Sequence, residues 1–137
     1  MDVATSPTTS KVEKNLERYG SFYDKGNFRH KEMTFQEILN FIEIQDKRLE
    51  KQFGLEDREK RTLASIAKIS EEQGELSGAV LSYLNLQRKD KKQNSKEDIA
   101  NEVADVLITV MLLGHQTEVD IRKALENKIK KINARYE

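Results

Sequence analysis

Cysteine is absent from this chain of 137 residues, which removes a disulfide framework, a thiolate zinc site and a cysteine nucleophile. The single proline, Pro7, lies in the small, polar opening MDVATSPTTS, which has no apolar core of the kind a signal peptide needs. No run approaches the roughly 20 apolar residues of a membrane-spanning helix. Excess charge of one sign is also missing. Twenty-four Lys and Arg balance 24 Asp and Glu, so no global field draws the chain to a nucleic-acid polymer or an acidic membrane. There is no Walker-type glycine loop and no dinucleotide-binding fingerprint. What is present is 36% hydrophobic and 35% charged residues, the balance of a soluble helical domain with charged outer faces, expected in the cytoplasm.

The length suits one domain with one core. Residues 1–11 read as a disordered polar tail. Residues 12–31 hold Tyr19, Phe22, Tyr23 and Phe28 among charges and two glycines, too aromatic for a linker and too irregular for a helix. The pattern therefore predicts a tail and irregular N-terminal arm over 1–31 and a helical domain over 32–137. With no period-two alternation and no hairpin turns, the class is all-α and the architecture a four-helix bundle. Thr34 with Glu37 forms a capping box opening helix one, whose face runs Phe35, Ile38, Leu39, Ile42, Gln45, Leu49 and Phe53 to Gly54. Helix two begins between Asp57 and Arg61 and carries Leu63, Ile66, Ile69, Leu76, Val80, Tyr83 and Leu84. The polar string QRKDKKQNSK (87–96) is a loop. Ser95 with Asp98 opens helix three, and Thr117 with Asp120 opens helix four, striped by Ile121, Leu125, Ile129, Ile132 and Tyr136.

Two carboxylate pairs stand out, Glu72 with Glu75 on helix two and Glu102 with Asp105 on helix three. Residues three apart on a helix share a face, so each pair projects together. Taken alone, the first pair is an ordinary solvated patch, with Lys68 one turn before Glu72. The second is more telling, because from Val103 to Leu113 the run VADVLITVMLL has only Asp105 and Thr109 as polar members. A carboxylate in so apolar a helix is expected to be buried, and burial requires a proton, a partner or a metal. Four acids from two helices make an all-oxygen site for a hard divalent cation, Mg²⁺ or Mn²⁺, working on phosphates. Di-iron bundles need Glu-x-x-His motifs, and neither His30 nor His115 follows a glutamate at that spacing. Helix three, apolar nearly all round, is expected to be central or at a subunit interface. Helix four supplies Arg122, Lys123, Lys128, Lys130, Lys131 and Arg135, well placed to hold phosphate oxygens beside such a cation.

These residues carry a resemblance. KISEEQGEL (68–76) followed by EVADVL (102–107) is similar to the EExxE…ExxD signature of the all-α nucleoside triphosphate pyrophosphohydrolases, the MazG-like group. The likeness runs over about 33–136 and includes a closing segment with Lys128, Asn133, Arg135 and Tyr136. It implies that Glu72, Glu75, Glu102 and Asp105 are Mg²⁺ ligands and that Lys128, Lys131 and Arg135 contact phosphate, joined by Lys68. Two positions depart from the group: Asn101 where a second acid often precedes the motif, and Thr109 where an aromatic often sits near the base.

The residues point to a Mg²⁺-dependent hydrolase working on phosphates, with Glu71 or Glu72 as base toward water, and the resemblance implies that it cuts a nucleoside triphosphate between the α and β phosphates. The resemblance implies a homodimer or homotetramer. The competing reading is a non-catalytic helical oligomerisation protein whose acids form structural ion pairs.

Overall fold

A computed structural model describes residues 32–88 and 92–136. The tail and arm expected over 1–31 lie outside the described residues. Among the described residues four helices follow in order: α1 (Phe35–Phe53), α2 (Arg58–Tyr83), α3 (Lys96–Gln116) and α4 (Ile121–Asn133). Among the described residues there is no strand, so the class is all-α. Among the described residues no helix is long and apolar enough to cross a membrane.

Two compact units divide the chain, one ending at Ile44 and the other running from Gln45 onward. In the first, Thr34 and Glu37 close the capping box: the Glu37 carboxylate accepts from the Thr34 backbone N–H at 2.8 Å, and the Thr34 hydroxyl accepts from the Glu37 N–H at 3.2 Å. In the second, α2 and α3 form an antiparallel pair pinned at both ends. Ser82, near the end of α2, accepts from the Asn94 N–H at 2.9 Å, just before α3 begins. Ser65, near the start of α2, donates to Gln116 at the end of α3 at 2.7 Å.

The α3 entrance matches its sequence signal. Asp98 accepts from the Ser95 backbone at 2.7 Å and from its hydroxyl at 2.9 Å, while the Ser95 hydroxyl accepts from the Asp98 N–H. Those two bonds hold the Asp98 carboxyl below its ordinary range. The stability they supply is therefore present above the ordinary aspartate pKa and is lost as pH falls through the lower, folded value.

The α3–α4 joint differs from expectation. Thr117 does not open α4; it ends α3, its hydroxyl bonding back to the Leu113 carbonyl at 2.8 Å, and Asp120 caps α4 by accepting from the Lys123 N–H at 3.0 Å. Between them Glu118 takes the left-handed conformation (φ 59°), with Val119 N–H bonded to Gly114 O and Glu118 N–H to His115 O. The chain reverses so tightly that a Cβ on Gly114 would stand 3.1 Å from Ile121.

The interior of the second unit is unusually polar. Ala79 and Leu112 are its buried apolar residues, whereas Asp46, Arg61, Ser65, Glu72, Ser82, Thr109 and Gln116 are all buried. One expectation is corrected here, the burial of Asp105. Asp105 is exposed in the single chain, because the α3 face it shares with Glu102 opens to solvent at that turn. The far face of α3, with Val103, Leu107 and Val110, is uncovered in the single chain, which leaves the subunit-interface alternative for this helix; the α4 stripe of Leu125, Ile129, Ile132 and Tyr136 is uncovered too.

The turn yields a stability prediction. A glutamate in the left-handed region costs about 1 kcal/mol that glycine does not. The Arg58–Glu118 ion pair at 2.9 Å is solvent-exposed and offsets little. Glu118→Gly is expected to raise unfolding free energy by up to about 1 kcal/mol in a denaturant titration.

Candidate metal and phosphate site

The paired helices bring both acidic motifs together. One carboxylate oxygen from each of Glu72, Glu102 and Asp105 lies within 4.8 Å of the others. Glu72 is buried, Glu102 half-buried and Asp105 exposed, so the trio opens to solvent on one side. Like charges about 5 Å apart near a protein surface repel by about 3 kcal/mol, and the fold holds three there. The Oε2 atom of Glu102 is buried and has no hydrogen-bond partner. A buried carboxylate oxygen without a donor is costly, and a cation completes it. Hard oxygen donors, convergent and partly desolvated, fit Mg²⁺ or Mn²⁺.

Glu75 falls outside that trio, one turn along α2 and exposed. It still feels the cluster: its carboxyl is pushed above the ordinary range, chiefly by the charge on Glu72, then by lost hydration and by Glu102 and Glu71. Lys68 is the local counter-charge, its ammonium 2.8 Å from Glu72 and 3.1 Å from Glu71. Bonds to those two carboxylates raise the Lys68 pKa well above that of a free lysine. Lys128, Lys131 and Arg135 are exposed, and among the described residues no hydrogen bond or ion pair links them to the carboxylates of the same chain. His115 places Nε2 3.8 Å from Asp46 and is not part of the trio, while His30 lies outside the described residues.

Beside the carboxylates is a cavity of about 390 Å³ that the sequence did not disclose. Apolar walls from Leu49, Leu55, Ile108 and Leu112 surround the buried polar side chains of Arg61, Ser65 and Gln116, and Lys68 borders both cavity and trio. Phe53, 60% exposed, puts a ring on its edge. The available signal was polar residues at core-facing positions of amphipathic helices, Asp46, Ser65 and Gln116 among them. Their partners, 51 and 70 residues away, leave no trace in local spacing.

The paired helices thus bring Glu72 of the first acidic motif together with Glu102 and Asp105 of the second, a cluster that could hold a metal ion. Residues 60–137, more than half of the chain, match the MazG nucleotide pyrophosphohydrolase domain, and the chain belongs to that family. The match covers α2 from Lys60 onward together with α3 and α4, and contains both acidic motifs. No curated protein and no solved structure matches the chain.

Calorimetric titration with Mg²⁺ or Mn²⁺ tests the centre without turnover. Glu102→Gln is expected to weaken binding about ten-fold or more. Because the Glu75 pKa is raised, this charge is lost on acidification before an ordinary glutamate would protonate. Cation affinity is therefore expected to fall starting above the usual carboxylate range. The linkage for the cation-free fold has the opposite sign to Asp98: protonating Glu75 relieves repulsion, so its destabilising effect fades as pH falls through the raised value.

Proposed function

We propose that this chain is a Mg²⁺-dependent nucleoside triphosphate pyrophosphohydrolase, converting a nucleoside triphosphate and water to the monophosphate and diphosphate, with Mn²⁺ as an alternative ion. The observation that carries this reading is the carboxylate trio with its unpartnered Glu102 oxygen, in a chain of the MazG family. Glu72, Glu102 and Asp105, with Glu75 at the open side, would hold the cation. When bound, it supplies Lewis-acid polarisation of phosphate oxygens and a more acidic water. Glu71, exposed and outside the trio, is the carboxylate left to accept a proton from attacking water; Glu72 is the other candidate for that role. A new P–O bond forms to the water oxygen, the α–β anhydride bond breaks, and diphosphate departs with its charge offset by cationic side chains. Lys68 is at hand for that purpose. Lys128, Lys131 and Arg135 would join from α4 of a neighbouring copy or on rearrangement of the same chain.

A second copy also explains the uncovered apolar surface. Val103, Leu107 and Val110 on α3 and the stripe on α4 are exposed in the single chain, and contiguous apolar faces of this kind mark association sites. The assembly proposed is a homodimer or homotetramer.

Incubating the full chain with a panel of nucleoside triphosphates and Mg²⁺, and measuring diphosphate release, tests the reaction. Asp105→Asn is expected to lower kcat by at least 100-fold with an unchanged circular-dichroism spectrum, because the amide keeps the shape and removes the charge. Full turnover in that variant removes Asp105 from the centre. Light scattering at micromolar concentration is expected to give a dimer or tetramer, with each specific interface burying more than about 1,000 Å². A fully active monomer overturns the assembly.

A further inference from the structure

The polar side chains inside the cavity are arranged around one amide. Gln116, 3% exposed, donates from Nε2 to the Asp46 carboxylate at 2.8 Å and accepts at Oε1 from the Ser65 hydroxyl at 2.7 Å. An ionised carboxylate only accepts, so Asp46 dictates which end of the amide carries nitrogen. Asp46 is in turn held by Arg61, whose Nε lies 3.5 Å from Oδ1 while its Nη1 donates to the carbonyls of Leu55 and Glu56. The amide cannot turn over without breaking both bonds.

A glutamine side chain has two donor and two acceptor positions, and these bonds use one of each. Among the described residues nothing takes the other N–H or the other lone pair. They form a fixed donor and acceptor on a cavity wall that is otherwise largely apolar. Such an amide binds in bidentate fashion to a planar edge carrying a neighbouring acceptor and donor, which every nucleobase possesses. The Phe53 ring at the edge offers a stacking surface. Lys68 borders both this cavity and the carboxylate trio, so a ligand with its flat end inside has its other end beside the cation site.

We infer that the cavity receives the base of the nucleotide and that Gln116 is the specificity-determining residue, clamped by Asp46 and Ser65 so that its spare N–H and carbonyl read the base edge. This rests on the nucleotide reading above. Asp46 is a positioning residue, acting through Gln116. Thr109 is not the reader; its hydroxyl donates to the Asp105 carbonyl at 2.7 Å.

Equilibrium binding decides the matter without turnover. The full chain is titrated with non-hydrolysable α,β-imido analogues of the four ordinary nucleoside triphosphates and with inorganic tripolyphosphate. The tightest nucleotide is then compared with the same nucleotide methylated at its edge N–H. A buried donor and acceptor left unpaired reject such a ligand, so methylation is expected to raise Kd about ten-fold or more in the wild type. That ratio is expected to fall below about three-fold in Gln116→Leu, and to fall by about three-fold or more in Asp46→Asn, where the amide is free to turn over. The wild-type comparison needs no variant and holds whatever Gln116→Leu does to folding. Equal affinity for methylated and unmethylated ligands, nucleotides bound no better than tripolyphosphate, or a ratio preserved in Gln116→Leu overturns the inference. Hydrolysis without edge discrimination would sink it and leave the pyrophosphohydrolase reading standing. Edge discrimination without hydrolysis in Mg²⁺ would do the reverse.

Discussion

Crowding of negative charge between α2 and α3 is the condition the rest of the structure must satisfy. Glu72, Glu102 and Asp105 converge within a few ångströms, with Glu71 and Glu75 nearby, and nothing in the helices' own propensities favours that arrangement. The pair of helices is held against the repulsion from its two ends, by the Ser82–Asn94 bond where the loop closes and the Ser65–Gln116 bond at the opposite end. Lys68 offsets part of the charge from within. The site's chemistry and its electrostatic cost thus have one origin. Acids that a cation would complete are acids the fold holds unfavourably without it.

Most of the fold was legible in local sequence because caps are local. Thr34 with Glu37 and Ser95 with Asp98 announce helix starts through bonds spanning three residues, and both bonds form. The α3–α4 boundary misled because Thr117 and Asp120 have the spacing of a capping box but serve two different helices. The acidic motifs were legible for the same reason as the caps: residues three apart share a face whatever the tertiary packing. Burial was not. An apolar run suggested that Asp105 was enclosed, yet periodicity says which residues share a face and not what covers it. In α3 one face meets α2 and the opposite one is open in the single chain, so of the two expected settings, central or at a subunit interface, the single chain does not provide the first.

The cavity was illegible for a deeper reason. Asp46, Ser65 and Gln116 show in sequence only as polar residues at core-facing positions, and their significance lies in contacts between three helices. Gln45, which the apolar stripe singled out, does line the cavity, but its neighbour Asp46 is the residue that orients the amide. Neighbours on a helix point about 100° apart, and one position decides which of them faces inward.

The same contacts imply an order of events during folding. Ser82 and Asn94 are 12 residues apart, whereas Asp46 and Gln116 are separated by 70. Closing the longer loop costs about 1.5 kcal/mol more in chain entropy, so the α2–α3 hairpin assembles from nearer contacts before the end of α1 docks on it. Synthesis runs the other way. The α1 segment leaves the ribosome first and waits for α3 before Asp46 finds its amide, while the acidic helix pair closes within a single hairpin.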